Sequence, residues 1–220
     1  MGILIAVQIN SWNERRSLKV LEIEILKSIH TELEEDLVDI DINIQIHENS
    51  VQSAEELIEH FESGKPYDDS LALKFYYADG VSAFLHSTSA FETLKAQGVQ
   101  LISNETLRNQ IIRLYDGQYN GILGFENNIH AARAYRINEI WPGRFEEANK
   151  THFPLTVAFT EGEMVPIDFE ALRNDSVYQY HLRNQRNMNR QYLGLGYYAV
   201  REEIFALTDA ILSEIQRLSH

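Results

Sequence analysis

The chain has 220 residues, 44% apolar and 24% charged, which is the composition of one folded globular domain or two small ones and not of a disordered segment. Its formal net charge of −14 argues against a nucleic-acid partner, because neutralising phosphates takes clustered Lys and Arg. With no cysteine, disulfides, thiol catalysis and Cys-ligated metals are excluded, and only four prolines and eleven glycines lean the chain toward helix.

In chain order, the apolar run Ile3–Val7 comes first, followed by Trp12 and then Arg15 and Arg16. Such an order reads as the trailing end of a membrane helix, with the indole at the interface and the guanidinium groups in headgroups or water. The run is short against the roughly 20 residues that span a bilayer, so a buried first turn of a soluble helix is the alternative. Leu18, Leu21, Ile25, Ile29, Leu33, Leu37, Ile40 and Ile44 then recur in steps of three and four and predict a long amphipathic helix. Glu32, Glu35, Asp36, Asp39 and Glu48 occupy its other faces. From Glu22 to Glu62 there are thirteen carboxylates and one basic residue, Lys27. The pattern continues through Val51, Leu57 and Phe61 to the stop signal Gly64-Lys65-Pro66. Some fifty residues of helix would reach ~75 Å, so a break near Asn49-Ser50 is expected.

One or two short helices are predicted within 67–86, and Ser89-Ala90-Phe91-Glu92 has the spacing of a capping box for a helix closed by Gly98. Ser103 and Glu105 open a second long helix ending at Trp141-Pro142. Its stripe, Leu107, Ile111, Leu114, Gln118, Ile122, Phe125, Ile129, Ala132, Arg136 and Ile140, has two polar members. Residues 143–168 are the least helical: Leu155–Phe159 and Met164–Phe169 form either a small β-hairpin near 155–169 or an ordered loop. The last helix starts near Asp175 and carries a near-heptad seam from Leu193 to Leu218. Three long amphipathic helices must bury their stripes on one another, which predicts an all-α, antiparallel helical bundle with several short helices, a single domain over 11–220.

Two stretches carry a family resemblance. Gly2-Ile-Leu-Ile-Ala-Val-Gln-Ile-Asn-Ser-Trp-Asn-Glu-Arg-Arg16 resembles the GILIALQINNWNE-like stretch of an uncharacterised bacterial family with a single N-terminal membrane helix. Ser87–Gly98, followed by Leu101-Ile-Ser-Asn-Glu-Thr-Leu-Arg108, is similar to that family's Leu-Lys, Gly, "LISN-x-x-LR" segment. The resemblance implies a membrane-anchored helical domain, held by its N-terminal helix, and brings no catalytic residue with it. Met1 stands where the family has the middle of its membrane helix, so residues 1–10 are expected to be the remnant of a truncated one. The domain is expected on the periplasmic or extracellular side; the cytoplasmic side, which Arg15 and Arg16 after the helix favour, and a soluble fragment are the alternatives.

Candidate chemistry is sparse. His30 with Glu34, Glu56 with His60, and Glu126 with His130 each stand four apart, where imidazole and carboxylate share a helical face and can hold a metal. None has the Glu-x-x-His spacing of a bundle-core dimetal site, and solvated surface pairs are the plainer reading. Arg183, Arg186 and Arg190 form a basic stripe, and Arg133 and Arg136 lie on another helix. Together they suit a carboxylate or phosphate ligand in a pocket lined by Tyr115, Tyr119 and Tyr135; the competing reading is that these arginines answer the acidic first helix. There is no nucleophile elbow, phosphate-cradling glycine loop or HExxH. The expectation is a non-enzymatic, membrane-anchored module for ligand sensing or protein interaction, without a cofactor. A metal-dependent enzyme using the His/Glu pairs is the alternative, and self-association through the first and last helices a third reading.

Overall fold

The computed structural model describes residues 2–148, 150–151 and 162–220, and of residues 2–7 and 9–11 the helical backbone alone. The chain is all-α among the described residues apart from one two-stranded ribbon. Among the described residues no helix is long and apolar enough to cross a membrane. Of the expected membrane-helix remnant, residues 1–10, the Gln8 side chain is described and exposed, and the others lie outside the described residues.

Helix α1 runs unbroken from Gly2 to Ser63. The break expected at Asn49-Ser50 does not occur, because the Ser50 side chain is spent sideways: its hydroxyl donates to the Ala78 carbonyl (3.0 Å) and accepts from Asn189 (2.6 Å). A serine so engaged does not compete for its own helix backbone. Gly64 ends the helix with φ +70°, a left-handed conformation that costs glycine little.

After α2 (Leu71–Ala78), α3 spans Ser89–Gln97 and α4 Glu105–Arg113, the latter capped by Asn104, whose side chain accepts the Leu107 N–H. A π-helical turn, Leu114–Tyr119, joins α4 to α5 (Asn120–Tyr135), and a second, Arg136–Ile140, closes this long helical run. Helices α6 (Phe169–Asn174) and α7 (Ser176–Tyr192) are capped by Asp168 and Asp175. A third π turn, Leu193–Tyr197, leads into α8 (Tyr198–Ser219).

Strands β1 (Lys150–Thr151) and β2 (Gly162–Glu163) pair antiparallel, Lys150 opposite Glu163. This corrects the hairpin expected near 155–169. Gly162-Glu163 is strand, and the segment after it bonds back to residues 144–146 through Glu146 N–H to Val165 O (3.0 Å) and Ile167 N–H to Arg144 O (2.9 Å). Burial of Phe145 against Phe75, Trp141 and Tyr178 fixes that pairing. Phe169 begins a helix because the Asp168 carboxylate accepts the Ala171 N–H at 2.9 Å. Residues 155–159 lie outside the described residues.

By packing, the chain forms two compact units. The first comprises 1–39, 85–120 and 200–220, and its core is Ile25, Leu26, Ile29 and Leu33 of α1 with Phe91, Leu94, Ile111, Ile204 and Ile211. The second comprises 40–84 and 121–199, with Leu57, Phe61, Phe75, Trp141, Phe169, Tyr178 and Leu182 in one buried cluster.

Each π turn adds a residue to a turn and so advances the buried face by one position. In the first, the buried side chain is Tyr119 and not Gln118, the stripe position expected from regular spacing. In the third, Tyr192 and Tyr197, five apart, are both buried, with their hydroxyls 3.2 Å apart.

Candidate functional site

In the second unit, the most concentrated charge is the ion pair of Arg136 with Asp79, both almost fully buried. Arg136 Nε and Nη2 both donate to Asp79 Oδ1, at 3.0 and 2.8 Å. Arg133 Nε donates to the Asp79 carbonyl (3.2 Å) and lies 3.3 Å from Oδ2. The second π turn brings Arg136 inward beside Trp141, whose N–H closes the turn on the Arg136 carbonyl at 2.8 Å.

Beside this pair lies a small, partly enclosed space of about 10 Å³ lined by Asp79, Arg136, Trp141, Tyr178, His181 and Gln185, among others. Three buried atoms on that lining, Asp79 Oδ2, Trp141 Nε1 and Gln185 Oε1, lack a protein hydrogen bond. They offer one donor and two acceptors, the complement of a single water, and the volume is that of about one water probe sphere. A high-resolution crystal map is therefore expected to show one ordered water bonded to all three; apolar collapse of the space would disprove this. The space is far below the roughly 300 Å³ of the smallest ordinary ligand pockets.

A second buried network runs as a directed chain: Ser82 hydroxyl to His47 Nε2 (3.0 Å), His47 Nδ1–H to Asn189 Oδ1 (2.8 Å), Asn189 to Ser50, and Ser50 to the Ala78 carbonyl. This sequence of donors needs a neutral imidazole. Burial, reinforced by the neighbouring His130, brings the His47 pKa down to about 4, against the pull of its bond to Asn189. Nearby, the buried Glu126 accepts from the Phe84 N–H (2.6 Å) and the Tyr197 hydroxyl (3.1 Å).

In the first unit, the acidic face of α1 serves as a row of acceptors. Leu85 N–H donates to Asp39 (2.9 Å), Ser87 N–H to Asp36 (3.1 Å), and the Ser89 hydroxyl and Ala90 N–H (3.0 Å) to Glu32. Ser103 gives both its N–H (2.7 Å) and its hydroxyl (2.9 Å) to Glu22. Glu32 thus caps α3 from another helix, and the box expected between Ser89 and Glu92 is not made; Glu92 pairs with Lys95 instead. Asp36, read from the sequence as lying off the apolar stripe, is buried and takes the Tyr119 hydroxyl. Burial pushes its pKa up to about 6 despite that donor and Ser87. Replacing Glu32 with alanine is expected to destabilise the fold by about 1–2 kcal/mol, the worth of a cap. Urea unfolding would measure this, and amide exchange at Ala90 should speed up with it.

The first unit carries an open cleft of about 640 Å³ between the α1 segment Arg15–Glu22, the turn Gln97–Ser103 and the end of α8 at Arg217 and Leu218. Arg217 is held by Glu214 (2.6 and 3.0 Å). Among the described residues, Arg15 and Lys19 have no ion-pair partner. Trp12 is 59% exposed, and the Arg16 guanidinium stands 5.5 Å from its ring centroid.

The residues singled out from the sequence do not converge on one pocket. Arg133 and Arg136 meet at Asp79; Arg183 bonds Gln179 (2.7 Å) and Glu62 (3.4 Å), Arg186 bonds Asn187, and Arg190 bonds Glu55. Tyr115 stacks on Phe91 and Tyr119 sits on Asp36, both in the first unit, while Tyr135 is exposed against His181. Of the His/Glu pairs, His30 and Glu34 are 3.4 Å apart. Glu56 bonds Lys74 while His60 bonds the Pro66 carbonyl, and Glu126 is held by Tyr197 and Phe84. Among the described residues there is no group of three or more His, Asp or Glu placed to hold a metal ion. Sequence reasoning missed Asp79, His47 and Asn189; the only available signal was polar residues at positions of helical stripe spacing.

A profile described as "Family of unknown function (DUF6090)" matches residues 1–140. No curated protein and no solved structure matches the chain.

Proposed function

Since the chain belongs to DUF6090, a family of unknown function, we propose that it is a non-enzymatic helical domain that works against a membrane surface, which it meets through the N-terminal end of α1. One observation carries this reading. Trp12 stands three and four residues before Arg15 and Arg16, and Lys19 three and four after Arg16 and Arg15, on a chain whose net charge is −14. An exposed indole beside guanidinium groups is the pairing that seats a helix end at the headgroup level. Each Lys or Arg near an anionic leaflet contributes about 1 kcal/mol, and the acid elsewhere on the chain confines attachment to this end. The interior supports the non-enzymatic part: among the described residues the buried carboxylates Glu22, Asp36, Asp79, Glu126 and Glu214 accept backbone or hydroxyl donors or pair with arginine.

Co-sedimentation with phosphatidylcholine vesicles, with and without phosphatidylglycerol, tests the reading. The full chain should pellet with the anionic vesicles and be released by salt, and Arg16→Gln should weaken binding about fivefold. Failure to bind anionic vesicles at low salt would overturn it.

A further inference from the structure

The cleft at the start of α1 is better built than a surface that merely attracts anions. Arg15 and Lys19, four apart on one helical face, line it together with Arg217. Glu214 is paired with Arg217 and bonded by Asn104, and Glu22, which lines the same cleft and keeps its charge, spends one oxygen on the N–H and hydroxyl of Ser103. Arg15 and Lys19 are left without an ion-pair partner among the described residues, in a chain with 33 acidic and 19 basic side chains. The same cleft carries apolar surface from Leu18, which is 50% exposed although it opens the α1 stripe, and from Leu101 and Leu218. At about 640 Å³ it has the size of an ordinary small-ligand site.

Cations beside leucines match an amphiphile with an anionic head, whereas free phosphate would leave the leucines unused. Building on the membrane-surface reading above, we infer that this cleft binds the phosphodiester headgroup of an anionic glycerophospholipid, with Lys19 and Arg15 on the phosphate and the leucines along the first carbons of the acyl chains. Lys19 supplies a point charge and Arg15 a forked donor set, so both can reach one phosphate from the α1 wall of the cleft. The site would give the domain a preference for anionic lipid beyond simple charge attraction.

The test uses monomeric dihexanoyl phosphatidylglycerol below its micelle concentration, titrated into the full chain and followed by amide NMR and calorimetry. Saturable binding is expected, with shifts at Gln100, Leu101 and Ser103. Dihexanoyl phosphatidylcholine and inorganic phosphate should each bind at least about tenfold more weakly. Lys19→Glu should lower affinity at least about tenfold while leaving the circular dichroism spectrum and melting temperature unchanged, and Lys19→Arg should retain binding. The inference is overturned if the monomeric lipid fails to saturate, if Lys19→Glu binds as the parent does, or if phosphatidylcholine or inorganic phosphate binds equally well. Vesicle binding without monomer binding sinks the cleft and leaves the membrane reading; monomer binding without vesicle binding sinks the membrane reading alone.

Discussion

Asp79→Ala is expected to destabilise the second unit by about 3–5 kcal/mol, the penalty for stranding a buried charge. The Arg136 side chain is 1% exposed and gives two of its donors to one Asp79 oxygen. Removing the carboxylate leaves the guanidinium desolvated, with Arg133 nearby as a second positive charge that no longer has this counter-ion. Asp79→Leu combined with Arg136→Met removes both charges at similar volume and should be much milder, because an apolar replacement of a buried pair is often neutral or better. Urea unfolding followed by Trp141 fluorescence would measure both, since Trp141 lines the adjoining space. If the single variant proves as mild as the double, the pair does not hold this part of the fold in the way argued.

The second large effect is in pH. The folded pKa of His47 lies near 4, below its ordinary 6.5, so between these values the unfolded chain binds the proton and the folded chain does not. Stability from this site is complete above pH 6.5 and declines as pH falls toward 4, by about 3 kcal/mol in all at about 1.4 kcal/mol per pKa unit. Asp36 acts oppositely. Its folded pKa of about 6 lies above the ordinary 3.8, so its protonated form favours the folded state, and that contribution is lost as pH rises from about 4 through about 6. Over the shared window the two effects offset each other. Asp36→Asn, which keeps a neutral side chain at every pH, should unmask the His47 slope as a steeper rise in stability from pH 4 to 6.5. Unfolding midpoints across that range would show it, and NMR of His47 should find a neutral ring down to about pH 4. A His47 that titrates near 6.5 would refute the account.

Much of the helical layout was legible because its causes are local. Steps of three and four placed α1, the long run from Glu105 to Ile140 and the final helices, and Gly64 and Gly98 marked stops where the backbone turns left-handed. The start near Asp175 was legible too, and its carboxylate does take the Val177 and Tyr178 N–H groups. The α6 helix was not legible because Met164–Phe169 alternates like a strand, while the Asp168 cap decides for helix from Phe169 onward.

The candidate sites were less legible. Arg136 stood out as a polar member of an apolar stripe, but nothing within its own helix identifies Asp79, 57 residues earlier, as its partner. The π turns left only a faint trace, a slip of one position in the buried face near Tyr119 and Tyr197. The acidic face of α1 was read as one for solvent or arginine. Its second half does meet Arg183 and Arg190, while its first half accepts backbone N–H groups from residues 85–103.

By itself, then, the sequence determined an all-α chain, the ends of its main helices and its lack of any nucleophile or cofactor motif, because periodicity, caps and glycines act over a few residues. Only the tertiary structure decided which carboxylates are buried acceptors, that His47 is held neutral and that Arg15 and Lys19 line a cleft with Leu18. A side chain's solvation and partners are set by elements that arrive from elsewhere in the chain, and helical spacing carries no record of which ones arrive.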